Sequence, residues 1–309
     1  SYSLYEELIT KSSWLKARKL MGYKSFKDTG LMYKIGGKPY IDVRKSLNSL
    51  LPIELTNKLS DHLINYGINK LKKEPELHDK IEFSLAPTCF TFDIDQKISS
   101  IFGGKKNNFI KKNLKKIFLS LFIKNIKNNS LCNIENNLSK IEILRNFQNS
   151  YIYKIDGDLS NIKLIIDQTI KYGIIPFSIL ARHGFIAKDN LLSLLKKKII
   201  NETELSKFEK SISTITSEFL EDRNKIYKSK NYIEFIKKYG HLRAGTYDIN
   251  SKCYSELDKK VFINNKKNKL NIKQKKFRFK KKTLNKINIL IKKNKLNLKT
   301  EELLNYFKK

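Results

Sequence analysis

Apolar residues recur at steps of three and four along most of the chain, the spacing that lines one face of a helix. Leu4, Leu8, Trp14 and Leu15 open the pattern, with Ser3 and Glu6 at capping-box spacing, and predict a helix to about Leu20. Gly22, Gly30 and the pair Gly36-Gly37 punctuate a looser region, and residues 40–43 read as a short strand. Pro52 predicts the start of a second helix, with Leu55, Leu59, Leu63, Ile64, Ile68 and Leu71 inward and Pro75 as its stop. Residues 81–95 alternate and are rich in Phe, Thr and Ile, which predicts a strand broken at Pro87. Asp93 and Asp95 would share one face of that strand, as a solvated edge rather than a magnesium site.

Gly103-Gly-Lys-Lys lacks the spacing of a phosphate-binding P-loop and reads as a turn. A Lys-rich amphipathic helix follows, with Ile110, Leu114, Ile117, Phe118, Leu121 and Phe122 inward. Residues 124–139 are Asn-rich and weakly patterned, which predicts a variable loop. Ser160 starts a helix carrying Ile162, Ile165, Ile166 and Ile170, expected to end at Gly173. Residues 176–187 then place Arg182 and His183 in a loop with a bend at Gly184, before a helix capped by Asp189. Leu205, Phe208, Ile212, Ile215 and Phe219 predict one long helix with a lengthwise seam. A helix at 232–239 delivers a polar loop, and after a Lys- and Asn-rich linker from Lys259 two short helices end the chain. The fold class expected is mainly α, a multi-helix domain with a small β element. The expected domains are 1–258, divisible into lobes 1–95 and 160–258 joined by a variable 96–159, and a tail 259–309.

The chain has 309 residues and a formal net charge of +33, which invites a nucleic-acid reading. Only seven of its 63 basic residues are Arg, and Asn and Ile are abundant with Lys. Those three are residues of AT-rich codons, and the fork geometry that reads phosphates and bases is scarce, which argues against nucleic acid as the main partner. Three scattered Cys without a CxxC spacing argue against disulfides and zinc and fit a reducing cytoplasm. No run of 18 apolar residues argues for a membrane span. The chain begins at Ser1 within a helical pattern, so a piece of a longer protein is expected.

The densest chemistry lies in residues 239–254, Tyr-Gly-His-Leu-Arg-Ala-Gly-Thr-Tyr-Asp-Ile-Asn-Ser-Lys-Cys-Tyr. Gly240 suits a left-handed helix C-cap. His241 offers a proton carrier and Arg243 a planar cation for phosphate or carboxylate, with Asp248 placed to orient either. A capped turn whose polar groups satisfy one another is the other reading. Arg44, after the short strand, is a further candidate anion contact, with an ion pair as its alternative.

Residues 239–249 resemble the YGHLRPGTYDI signature of a branch of the phosphoenolpyruvate synthase and pyruvate phosphate dikinase superfamily, which also includes rifampicin phosphotransferase. Ser3-Leu-Tyr-Glu-Glu-Leu-Ile-Thr, Gly37-Lys-Pro-Tyr-Ile-Asp-Val-Arg, Leu77-His-Asp-Lys-Ile-Glu-Phe and Leu180-Ala-Arg-His-Gly-Phe-Ile-Ala are similar to the same branch, in the same order. The resemblance covers roughly residues 1–95 and 172–256. It implies the central, acceptor-binding region of a larger enzyme. There ATP phosphorylates a histidine on a swivelling domain, which hands the group to a small-molecule acceptor. The ATP-grasp and phosphohistidine domains, with ATP and Mg2+, would lie outside this chain, which alone is expected to be inactive. Phosphoenolpyruvate synthesis itself is less expected than transfer to another small molecule, since no magnesium-carboxylate set is evident.

The resemblance implies that the loops at Arg182-His183 and His241-Arg243 converge. His183 or His241 would take the acceptor proton, Arg182 and Arg243 would hold the phosphoryl group, and Asp248 would orient a His. Ala244 stands where the signature has Pro, and Ser251-Lys-Cys-Tyr254 where the branch has Ser-Pro-Arg-Tyr. Lys252 restores the charge lost at Cys253 but not its bidentate geometry. Two other readings stay open: a non-catalytic helical binding or scaffold module, and a nucleic-acid binder working through 259–309. Alternatively, Arg182 pairs with an acid and His183 is a satisfied core residue.

Overall fold

A computed structural model describes residues 2–26, 30–103, 108–127, 131–151, 159–229, 232–243, 250–263 and 277–309. They form a mainly helical protein with one two-stranded antiparallel sheet. By internal contacts the chain divides into two units, residues 1–200 with 281–309, and residues 201–280. This differs from the expected boundary near 258, because the two C-terminal helices bury Ile287, Ile291, Leu303 and Phe307 in the first unit.

In the first unit, α1 (Tyr2–Tyr5) runs through a π turn at Glu6–Thr10 to α2 (Ser13–Leu20). Ser3 lies within the first turn instead of capping it, and Leu4 is exposed. The hairpin β1 (Met32–Ile35) and β2 (Lys38–Ile41) pairs Met32 with Ile41 and turns on Gly36-Gly37. Asp42 caps α3 (Val43–Asn48), and Thr56, not Pro52, caps α4 (Asn57–Lys73) by accepting from Leu59 N–H. α5 (Ile94–Phe102) and α6 (Asn108–Ile126) pack on each other. α6 buries Leu114, Phe118, Leu121 and Phe122, as its periodicity predicts. The Asn-rich stretch expected to be a loop contains the start of α7 (Ile134–Tyr151). There Asn133 accepts from Asn136 N–H, so an Asn serves as a helix-start signal.

α8 (Leu159–Gln168), a π turn (Thr169–Ile174) and α9 (Ile175–Lys196) follow without a break. The helix therefore does not end at Gly173. That glycine permits a close approach: a Cβ there would lie 2.8 Å from Leu144 Cδ2 of α7. By length and composition the run Asn161–Lys196 is apolar enough to cross a membrane, where the sequence reading found no such span. Its first part shows Ile162 and Leu164 to the surface, yet its second part buries Arg182, His183, Asp189 and Asn190 within the unit.

The predicted strand at 81–95 is absent. Residues 81–93 are irregular, and every residue from Leu85 to Ile94 is buried. Their Phe, Thr and Ile content reflects burial on all sides, not a pleated face. Buried irregular backbone needs hydrogen-bond partners, and α9 supplies them. Arg182 donates to the Glu82 and Thr88 carbonyls at 3.0 and 3.1 Å. Asn190 Nδ2 donates to Phe90 O at 2.9 Å, and Phe92 N–H donates to Ser193 Oγ at 3.1 Å. Asp189, expected as a cap, sits mid-helix and pairs with Lys97 Nζ at 2.8 Å.

In the second unit, Asn201 and Glu204 form the capping box of α10 (Glu202–Lys210). α11 (Ile215–Ser229) is separate, so the long seam expected across 205–219 is broken at 211–214. There Ser217 Oγ and the Thr214 backbone bond each other and restart the helix. α12 (Tyr232–Tyr239), a 3-10 turn (Tyr254–Glu256) and α13 (Lys259–Ile263) complete the unit. Its core is aromatic: Phe235 and Tyr239 lie 5.0 Å apart, and Phe262 lies 5.4 Å from Phe235 and 5.5 Å from Tyr254. In the first unit, α14 (Lys281–Lys293) and α15 (Thr300–Lys308) pack together, and α15 also packs on α9.

Loss of a hydrogen bond to the buried segment exposes its cost. Asn190→Ala strands the Phe90 carbonyl, so we expect about 1–3 kcal/mol of destabilisation in urea unfolding. Ser178→Ala removes only a bond to its own helix carbonyl and should change stability by less than about 0.5 kcal/mol.

Candidate functional site

The sequence candidates fall in both units, and each group is described in its own unit. Arg182 and His183 lie in the first, inside α9 and not in a loop. Helical geometry is possible there because each polar group finds a buried partner. Arg182 Nε donates to Tyr23 Oη at 3.1 Å and its guanidinium stands 5.0 Å over the Tyr23 ring. Nη2, which donates to the Thr88 carbonyl, also bonds Thr88 Oγ1 at 2.7 Å, and Nη1 takes the Glu82 carbonyl. Arg18 donates to the Glu82 carboxylate at 2.9 Å, so Glu82 joins the two arginines through carboxylate and carbonyl. Arg182 thus clamps the fold with all three of its nitrogens.

His183 is 3% exposed. Its Nε2 lies 2.7 Å from Cys132 O and its Nδ1 2.9 Å from Tyr306 Oη. A carbonyl only accepts, so Nε2 carries the proton. Burial lowers the His183 pKa, the Cys132 carbonyl opposing it and Arg182 adding to it. The neutral ring then accepts from Tyr306 at Nδ1, so Tyr306 O–H donates and its oxygen lone pairs remain as acceptors. His183 and Tyr306 stand in the wall of a cavity of about 630 Å³. The end of α6, the start of α7 and residues 297–309 complete it. Lys309 pairs with Glu135 there and holds that carboxyl below its usual range. Tyr306 belongs to the tail read from sequence as a linker with terminal helices, and no motif marked it.

His241 and Arg243 lie in the second unit, exposed, after the end of α12. Gly240 does not take the left-handed conformation expected of it. A Cβ there would come within 2.4 Å of Ile236 O, so glycine answers a close contact instead. Arg243 and Cys253 form an antiparallel bridge, Tyr254 N–H donates to Leu242 O at 2.8 Å, and Ser255 N–H donates to Gly240 O at 3.0 Å. The two ends of the loop are thus tied, and the aromatic core beneath, Tyr239 and Tyr254 included, holds the tie in place. Tyr239 Oη also donates to Asp222 at 3.0 Å. Partial burial works against the Asp222 charge, but hydrogen bonds from Lys225, Lys238 and Tyr239 outweigh it and hold its pKa at about 2.

Asp248 and Ala244 lie outside the described residues. Lys252 is exposed beside the bridge. Arg44 is exposed and donates to Asn65 Oδ1 at 2.8 Å, a neutral partner in place of the expected acid. Burial and the nearby Asp189 push the Cys89 thiol up to about 12, which keeps it protonated. Among the described residues no three His, Cys, Asp or Glu side chains gather as they would around a metal ion. Searched against protein-family models, curated proteins and solved structures, the chain matches none. The family resemblance therefore rests on its motifs alone.

The buried neutral His183 predicts a pH dependence. Its folded pKa lies below 6.5, so its contribution is complete above that value and declines as pH falls from 6.5 toward the folded pKa. Urea midpoints should fall between about pH 7 and pH 5. His183→Gln should flatten that slope, and an unchanged slope would remove His183 as its source.

Proposed function

We propose that this chain is the acceptor-side region of a phosphotransferase that relays a phosphoryl group from ATP through a phosphohistidine to a small molecule. The observation that carries this reading is the division of labour in residues 239–254. The aromatic residues Tyr239 and Tyr254 anchor the core, while His241 and Arg243 are displayed at the mouth of a tied loop. A loop of that kind positions reacting groups on a rigid base.

Transfer forms an O–P bond to the acceptor hydroxyl and breaks the N–P bond of the donor histidine. The acceptor proton must leave, and charge spreads over the phosphoryl oxygens. His241 takes the proton, and the Arg243 guanidinium binds two of those oxygens in its fork. Asp248 orients His241, and Lys252 adds a second positive charge. The donor histidine and the ATP site belong to domains outside this chain. The small molecule is the partner, and the cytoplasm is the compartment in which both ATP and free thiols fit.

The test uses the full-length gene product with its flanking domains, labelled with radioactive ATP. Label should appear on a histidine and discharge to a small molecule in a metabolite extract. His241→Ala and Arg243→Ala should each slow discharge by about tenfold to hundredfold, with labelling intact. Absence of ATP-dependent labelling, or equal discharge in both variants, would overturn the reading.

A further inference from the structure

The cavity beside His183 has features that a structural role for that histidine does not require. A satisfied core histidine needs only its two partners. Here one partner, Tyr306, also lines an open space of about 630 Å³, within the range of about 300–1,000 Å³ typical of small-molecule pockets. The hydroxyl's proton is committed to His183 Nδ1, so what Tyr306 presents to a ligand is an acceptor.

Four amides stand in the same wall: Asn125, Asn133, Asn297 and Asn305. Asn125 is 1% exposed, its Nδ2 is committed to Met21 O and Leu121 O at 3.0 Å, and its Oδ1 has no partner among the described residues. A buried amide oxygen without a donor calls for one. Amides both donate and accept, and so does a ligand hydroxyl. The charges are mixed: Lys127, Lys308 and Lys309 stand with Glu135 and Glu302. Lys309 bonds Glu135, and Glu302 accepts from Lys299 N–H at 2.8 Å. A field so nearly balanced does not select a polyanion. Ile126, Ile134 and Leu303 provide apolar surface for a carbon ring.

We infer that this cavity binds a neutral polyhydroxylated ligand of sugar or cyclitol type, with Tyr306 Oη accepting from one of its hydroxyls. The inference uses residues of the first unit alone and stands independently of the phosphotransferase reading.

The experiment is saturation-transfer NMR on the 309-residue chain with glucose, galactose, N-acetylglucosamine and myo-inositol, with cyclohexanol as the control lacking the hydroxyl array. At least one of the four should bind saturably with Kd about 1 mM or tighter, and cyclohexanol should not. Tyr306→Phe keeps the ring contacts with Phe122 and Phe307 but removes the hydroxyl, and should weaken binding about tenfold. Asn305→Ala changes an exposed residue of the wall and should weaken binding with thermal unfolding unchanged. No saturable binding by any of the four, or equal affinity in both variants, would overturn the inference. Because the readout is binding, failure of phosphoryl transfer leaves its outcome unaffected.

Discussion

The first unit depends on a stretch of irregular backbone buried where secondary structure would ordinarily be. Residues 85–94 are all inaccessible, and residues 85–93 make neither helix nor strand. Such a segment is tolerable only if its peptide groups are satisfied. Arg182, Asn190 and Ser193 recur at steps of eight and three along α9, so they face one way, and each meets a backbone group of the segment. Asp189, on the same side, takes Lys97 from the helix that the segment leads into. The spine helix is therefore polar on the side that apolar patterning would expect to be greasiest.

That inversion explains what could and could not be read from sequence. Where burial is apolar and one-sided, the periodicity is enough: α6 with its Leu114–Phe118–Leu121–Phe122 stripe, α4 to its stop before Pro75, and α12 from Tyr232 to Tyr239. Where a helix buries polar side chains, the same local rules mislead. Ala-Arg-His-Gly reads as a loop because a polar pair runs into Gly, and inside α9 that pair is satisfied by partners distant in sequence: the 82–88 stretch for Arg182, Cys132 and Tyr306 for His183. The segment in turn resembles a strand because a run buried on all sides has a strand's composition. Neither reading can be corrected locally, since each is explained by the other. The exposure of residues 241–243 follows from their polar, Gly-punctuated surroundings, whereas Tyr306 lies about 120 residues from His183 in a segment of no distinctive pattern.

The same logic separates the two histidines. His183 is held by two protein partners and takes its tautomer from a backbone carbonyl, so its surroundings decide its state before any ligand arrives. His241 is exposed after the end of α12. A group fixed in advance suits recognition of one ligand atom through Tyr306. A solvent-facing group at the mouth of a tied loop suits a proton that must leave. The two rings are thus held differently, each within its own unit.

The loop at 239–254 also shows why its signature can change without losing its form. Its closure is made by backbone groups: Tyr254 N–H to Leu242 O, Ser255 N–H to Gly240 O, and the bridge between Arg243 and Cys253. Side chains at 252 and 253 do not enter those bonds, so replacing the branch's Pro-Arg by Lys-Cys leaves the closure intact. Tyr239, Tyr254 and Gly240 cannot change so freely, because two fill the aromatic core and the third avoids a backbone clash. Substitution at 253 therefore alters the charge next to Arg243 while the scaffold persists. Where the signature it resembles carries Arg, Cys253 stands across the bridge from Arg243, with Lys252 next to it in sequence. The difference changes the side-chain charge at the closure and leaves intact the backbone bonds that form it.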